Sequence, residues 1–105
     1  MQYVKIVVFV PESHADIVRK VMGDAGAGKL GNYSHCTFSM KGVGRFLPLT
    51  GAQPAIGKVG TLEEVVEERI ETICPKNIMN EVIAAMKKAH PYEEVAYDII
   101  PLLPI

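Results

Sequence analysis

Three observations predict an α+β fold of the ferredoxin-like kind, an antiparallel sheet carrying two helices on one face. The first is a repeat: Val10-Pro11 and a helical pattern with Val18, Met22 and Ala25 recur 64 positions later as Cys74-Pro75 and a pattern with Val82, Met86 and Ala89. The second is the strand-like run that leads into each proline. The third is the period of two in Cys36, Phe38 and Met40, which alternate with His35, Thr37 and Ser39 as in a half-buried strand. Two copies of strand, proline, helix and strand give βαβ-βαβ.

Taken in order, residues Tyr3 to Val10 are apolar and β-branched, suiting a central strand covered on at least one face. Pro11 is expected in the first turn of a helix, where its missing N–H costs nothing, with Glu12 and Asp16 near the positive helix end. Ile17, Val18, Val21, Met22 and Ala25 give that helix of about four turns one apolar face, and Gly26 and Gly28 stop it. After the strand around Phe38, Lys41-Gly42-Val43-Gly44 reads as a hairpin turn and Arg45-Phe46-Leu47 as its short return strand, an extra β-hairpin in the first half. Gly51, Pro54, Gly57 and Gly60 mark a long loop. Leu62 to Cys74 is a strand with many carboxylates; Glu67, Glu68, Arg69 and Glu71 read as a solvated or intersubunit face. Pro75 opens the second helix, Pro91 ends it by disfavouring helical geometry at His90, and Val95 to Ile100 is the last strand. The tail Pro101-Leu102-Leu103-Pro104-Ile105 is apolar and needs its own domain or a partner to cover it.

The 105 residues fit one domain, 1–105, and a chain this short gains from oligomerisation. Eleven basic against 12 acidic residues give a net charge of -1, so a broad attraction to nucleic acid or to an anionic membrane has no support. No apolar run reaches the length of a membrane span, and the first residues read as a strand rather than a signal peptide. Two cysteines, Cys36 and Cys74, in apolar strand patterns suggest buried thiols and a cytoplasmic protein.

Gly26-Ala27-Gly28-Lys29-Leu30-Gly31 has the letters of the dinucleotide fingerprint but follows a helix and precedes a strand, the reverse of what that site needs. Gly51 to Lys58 misses the phosphate-loop spacing, and Val59 stands where a hydroxyl should bind magnesium. His35 and Cys36, adjacent in a strand, would face opposite sides and not share a metal. His90 with Glu93 or Glu94 is the candidate metal combination. Its competitor, preferred on these residues, is a His-Pro-Tyr turn capping the second helix through its last carbonyls. A Cys36 nucleophile with His90 as base would need the fold to bring the two together.

Several ordered motifs carry a resemblance: Gly26 to Tyr33, Cys36-Thr37-Phe38, Gly42 to Pro48, Gly51 to Gly57, Glu67 to Glu71, and His90 to Asp98. Together they resemble the domain inserted in the middle of the Nif-three-like hexameric proteins with a dinuclear metal centre. The resemblance implies a fold similar to PII signalling proteins and CutA copper-tolerance proteins, both trimeric ferredoxin-like assemblies. The family's metal ligands belong to flanking halves for which this sequence has no counterpart, so the resemblance carries over neither ligands nor hydrolase activity. It implies a non-catalytic regulatory or sensing oligomer, a trimer, taking a small molecule or ion between subunits. Candidate ligand-binding residues are Lys29, Asn32, Tyr33, Cys36, Arg45, His90, Tyr92 and Glu93, with no cofactor or catalytic residue assigned. The alternatives are an assembly module docking on another protein and a metal-dependent or Cys/His enzyme.

Overall fold

The computed structural model describes residues 1–104. Its elements are β1 (Tyr3–Pro11), α1 (Ala15–Asp24), β2 (Phe38–Phe46), β3 (Glu63–Pro75), α2 (Met79–Ala89) and β4 (Tyr97–Pro101). The four strands form one antiparallel sheet in the order β2-β3-β1-β4, and the two helices cover one face. Among the described residues no helix is long and apolar enough to cross a membrane.

The repeat extends to backbone detail. Pro11 and Pro75 are the last residues of their strands, at φ/ψ of -60°/146° and -57°/132°. Each is followed by a single 3-10 turn, Glu12–His14 or Lys76–Ile78, before the α-helix begins. His14 and Ile78, at -118°/5° and -115°/6°, make the same hinge into it. The first helix is therefore shorter than the four turns expected, because proline finishes the strand and the 3-10 turn takes up the reversal.

Val4, Ile6, Val8 and Val10 of β1 pack with Ile70 and Cys74 of β3 beneath Val18 and Met22 of α1 and Val82 and Met86 of α2. All but Val4 are wholly buried, and each such aliphatic side chain contributes about 1.5–3 kcal/mol of transfer free energy. Arg19 on α1 reaches across this core's edge to Glu68 on β3 and, at 3.1 Å, to Ser39 on β2.

Two expectations about the second strand fail. Residues 41–44 do not turn; β2 runs unbroken from Phe38 to Phe46, paired with β3 from Glu71 back to Glu63. Gly42 and Gly44 keep negative φ, unlike the turn glycines Gly51, Gly57 and Gly60. The extra hairpin is therefore the long β2/β3 ribbon itself, whose Glu63 to Val66 portion extends beyond β1, since β1 pairs only as far as Glu67. Cys36 and His35 also lie outside the strand, in the loop after α1, with His35 at φ 60°. Cys74 is buried and Cys36 is partly exposed; both are free thiols.

Candidate functional site

The strand register decides what faces away from the helices. Phe9 pairs with Arg69 and Arg69 with Met40, while Glu67 sits opposite Gly42 on the adjoining rung. These residues share the open face, because directly opposed residues of antiparallel strands point the same way. Over this end of the face fold the loop after β2 and the α2/β4 connection, leaving a groove of about 850 Å³. Its walls include Phe46, Leu47, Leu49 and Ile56 on one side and Tyr92, Glu93 and Glu94 on the other.

The α2/β4 connection is fixed by His90. Pro91 forces His90 out of the helix, to φ/ψ -78°/138°, and the ring turns inward with only 7% of the residue exposed. Its Nε2–H donates to the Phe9 carbonyl at 2.8 Å, and its Nδ1 accepts the Tyr92 N–H at 3.1 Å. Both nitrogens are used, with the tautomer assigned from these partners. The ring thus bonds a β1 carbonyl, not the last carbonyls of α2 as the sequence suggested. Burial holds its pKa below the usual imidazole value, opposed by the Phe9 bond and the nearby Glu67 carboxylate.

Tyr92 then places its hydroxyl against Glu67, donating to Oε2 at 2.8 Å, with its ring edge-on to Phe46 at 5.8 Å between centroids. Burial and the Glu67 carboxylate push the phenol pKa well above its ordinary value. Glu67 is 9% exposed and fills the space over Gly44, where a Cβ would collide with its carboxylate. Glycine at 44 is thus a requirement of side-chain space. Of the solvated or intersubunit carboxylate face expected here, Glu67 and Glu68 are not solvated, being buried against Tyr92 and, as an ion pair, Arg19 respectively. Glu93 Oε1 accepts the Gln53 N–H at 2.8 Å, tying the two walls of the groove together.

Arg45, Tyr92, Glu93 and Glu94 are thereby gathered at one groove, with His90 just behind it. Lys29, Asn32, Tyr33 and Cys36 are not. Their loop joins the opposite end of the sheet, where Gly28 N–H donates to the Ile73 carbonyl at 2.7 Å and Thr72 Oγ1 donates to the Cys36 carbonyl at 2.9 Å. Six residue steps along β3 separate Ile73 from Glu67, roughly 20 Å. Lys29, Asn32 and Tyr33 are exposed there. No hydrogen bond joins Cys36 to His90, whose ring is already committed at both nitrogens; the pair lacks the geometry of a nucleophile and its base. Among the described residues no three His, Cys, Asp or Glu side chains gather as metal ligands. The sequence reading missed Glu67, Arg69 and Phe9 as groove residues. Only strand register places them beside Tyr92, and register was not available from periodicity.

Comparison with known proteins adds lineage to this geometry. No family model matches the chain. It is 56% identical over 98 residues to a Bacillus subtilis protein named GTP cyclohydrolase 1 type 2 homolog, an alignment covering 93% of this chain and 26% of that protein. The structure of a Bacillus cereus protein related to NIF3 superposes with a TM-score of 0.84 at 57% identity, over 96% of this chain and 26% of that one. The periplasmic divalent cation tolerance protein CutA of Archaeoglobus fulgidus superposes at 0.69 over 95% of this chain and 83% of its own, with 17% identity, a likeness of fold alone. The chain thus has a CutA-like fold and spans about a quarter of the length of the relatives it matches in sequence.

Proposed function

We propose that this chain is a non-catalytic, homo-oligomeric module, a trimer, that takes a small ligand at the open-face groove. The observation that carries the oligomer is apolar exposure concentrated on the ribbon. Phe38, Met40, Val43 and Val66 stand 62%, 48%, 62% and 52% exposed, and Val43 and Val66 are a cross-strand pair. Register puts Phe38 and Met40 on the open face and Val43 with Val66 on the opposite one. Apolar surface on both faces of a ribbon with an unpaired edge strand is costly in a monomer and is removed by packing against copies of the chain. The CutA-like fold and the similarity to a segment of longer proteins support an assembly role. The cyclohydrolase in the relatives' name is theirs, and no step of it is assigned here.

Native mass spectrometry of the purified chain at micromolar concentration tests the reading. A trimer mass is expected, and Val43→Lys with Val66→Lys should convert it to monomer without loss of fold. A strict monomer in the parent protein overturns it. Docking on a different protein is favoured by one feature, the tail after β4, where Leu103 is 90% exposed; a heteromeric mass in the same spectrum would select that reading.

A further inference from the structure

We infer that the open-face groove binds a small organic cation, a protonated amine carried on an apolar or aromatic body. The inference rests on the groove as the ligand site proposed above and adds the chemistry of its occupant. Three basic residues are part of the groove lining, and each is already neutralised by a carboxylate that is not: Lys41 by Glu12 at 3.0 Å and Arg45 by Glu64, both on the side of β2 turned away from the open face, and Arg69 by Glu71 at 3.0 Å. Three carboxylates also line it, and among the described residues Glu67, Glu93 and Glu94 have no basic partner. The uncompensated charge of an otherwise apolar groove is negative.

Glu67 gives that charge a direction. The residue is more than nine-tenths buried, its Oε2 takes the Tyr92 hydroxyl, and its Oε1 accepts no hydrogen bond from any described residue. Since every fully buried side-chain oxygen among the described residues has a partner, Oε1 keeps access from the groove, where it is free to accept a charged donor. Aromatic rings stand around the same place, Tyr92 on the carboxylate and Phe46 edge-on to Tyr92, while the Phe9 ring in the lining already carries the Arg69 guanidinium 5.7 Å from its centroid. Ring faces and a partly desolvated carboxylate together favour an ammonium group over water. Gly42, with nothing within 4 Å of where a Cβ would stand, leaves room for a flat body against β2. A bare divalent ion fits less well. It needs six or more oxygen ligands, and the carboxylates here are spread over apolar walls with no three gathered.

The test uses the purified full chain in its native assembly, with 2-phenylethylammonium as probe and 3-phenylpropionate as the anion of similar shape. Nitrogen-proton NMR titration should shift the amides of Gly42, Gly44 and Tyr92 with the amine and leave them with the acid. Glu67→Gln, which still accepts the Tyr92 hydroxyl, should weaken amine binding about tenfold. Glu94→Gln, at an exposed position, should weaken it by a smaller factor with the fold intact. An equal response to the acid, shifts confined to other surfaces, no shift with millimolar amine, or undiminished affinity in both variants overturns the inference. Native mass spectra of the same samples report assembly separately, so failure of the cation site is distinguishable from failure of the oligomer.

Discussion

Tyr92 and His90 are where single side chains decide most. Removing the phenol hydroxyl in Tyr92→Phe leaves the Glu67 carboxylate without its internal donor, and the loss should be about 1–3 kcal/mol in chemical denaturation. Gly44→Ala should displace the same carboxylate. Its cost should therefore be non-additive with Tyr92→Phe in a double-mutant cycle, since the second change has little left to remove. His90 adds a pH dependence whose sign follows from its environment. The fold lowers its pKa by burial, so the unfolded chain binds the proton more readily. The contribution of His90 is complete above the unfolded value near 6.5 and is lost as pH falls through the lower folded value. Urea titrations from pH 7.5 downward should show a decline that His90→Gln flattens. His90, Tyr92 and Glu93 stood out in the sequence because five polar or proline positions adjoin there. Their partners Phe9, Glu67 and Gln53 did not, since each is distant in sequence and reached only through folded contacts.

Among the elements, the loop after α1 depends most on a backbone constraint. Gly28 has φ 79°, and a Cβ there would stand 2.6 Å from both the nitrogen and the oxygen of Cys36. Gly28→Ala should therefore cost about 2 kcal/mol or more, read as a lower thermal midpoint with α1 retained. The helices, central strands and repeat were legible in the sequence because periodicity and proline placement report local geometry directly. The ribbon was misread for a physical reason. Gly42 and Gly44, two apart, resemble turn residues, yet in a strand positions two apart share a face, and Gly44 is small because Glu67 lies over it. The same ribbon predicts uneven dynamics. The pairs from Val43 with Val66 to Phe46 with Glu63 have no β1 strand beside them. In isolated monomer variants their amides should exchange with solvent faster than those of the Ile70 region, and assembly should protect them.

For the whole molecule, the helix side and the open side of the sheet are built on different terms. The helix side is a closed apolar core. The open side carries an ion network of Lys5, Glu71 and Arg69, an apolar ribbon and a groove with acidic residues, a mixture suited to contact with something else. Raising ionic strength should weaken amine binding in the groove while leaving a ribbon-mediated oligomer in place, because screening acts on the charge and not on the apolar area. The fold class could be argued from the sequence because it follows from local pattern; the groove could not, because it is made by register and by two loops closing over one face.

One bond at the far edge of the sheet has a consequence for gene architecture. The Leu102 N–H donates to the Tyr3 carbonyl at 3.1 Å, so the path into β1 and the path out of β4 run side by side. A module whose entrance and exit adjoin can be spliced into a surface turn of another protein as a cassette, with short linkers and little strain on its host. Grafting residues 3–102 into an exposed loop of an unrelated stable protein should leave both melting transitions close to those of the separate parts. That geometry suits a segment that matches about a quarter of the length of its relatives.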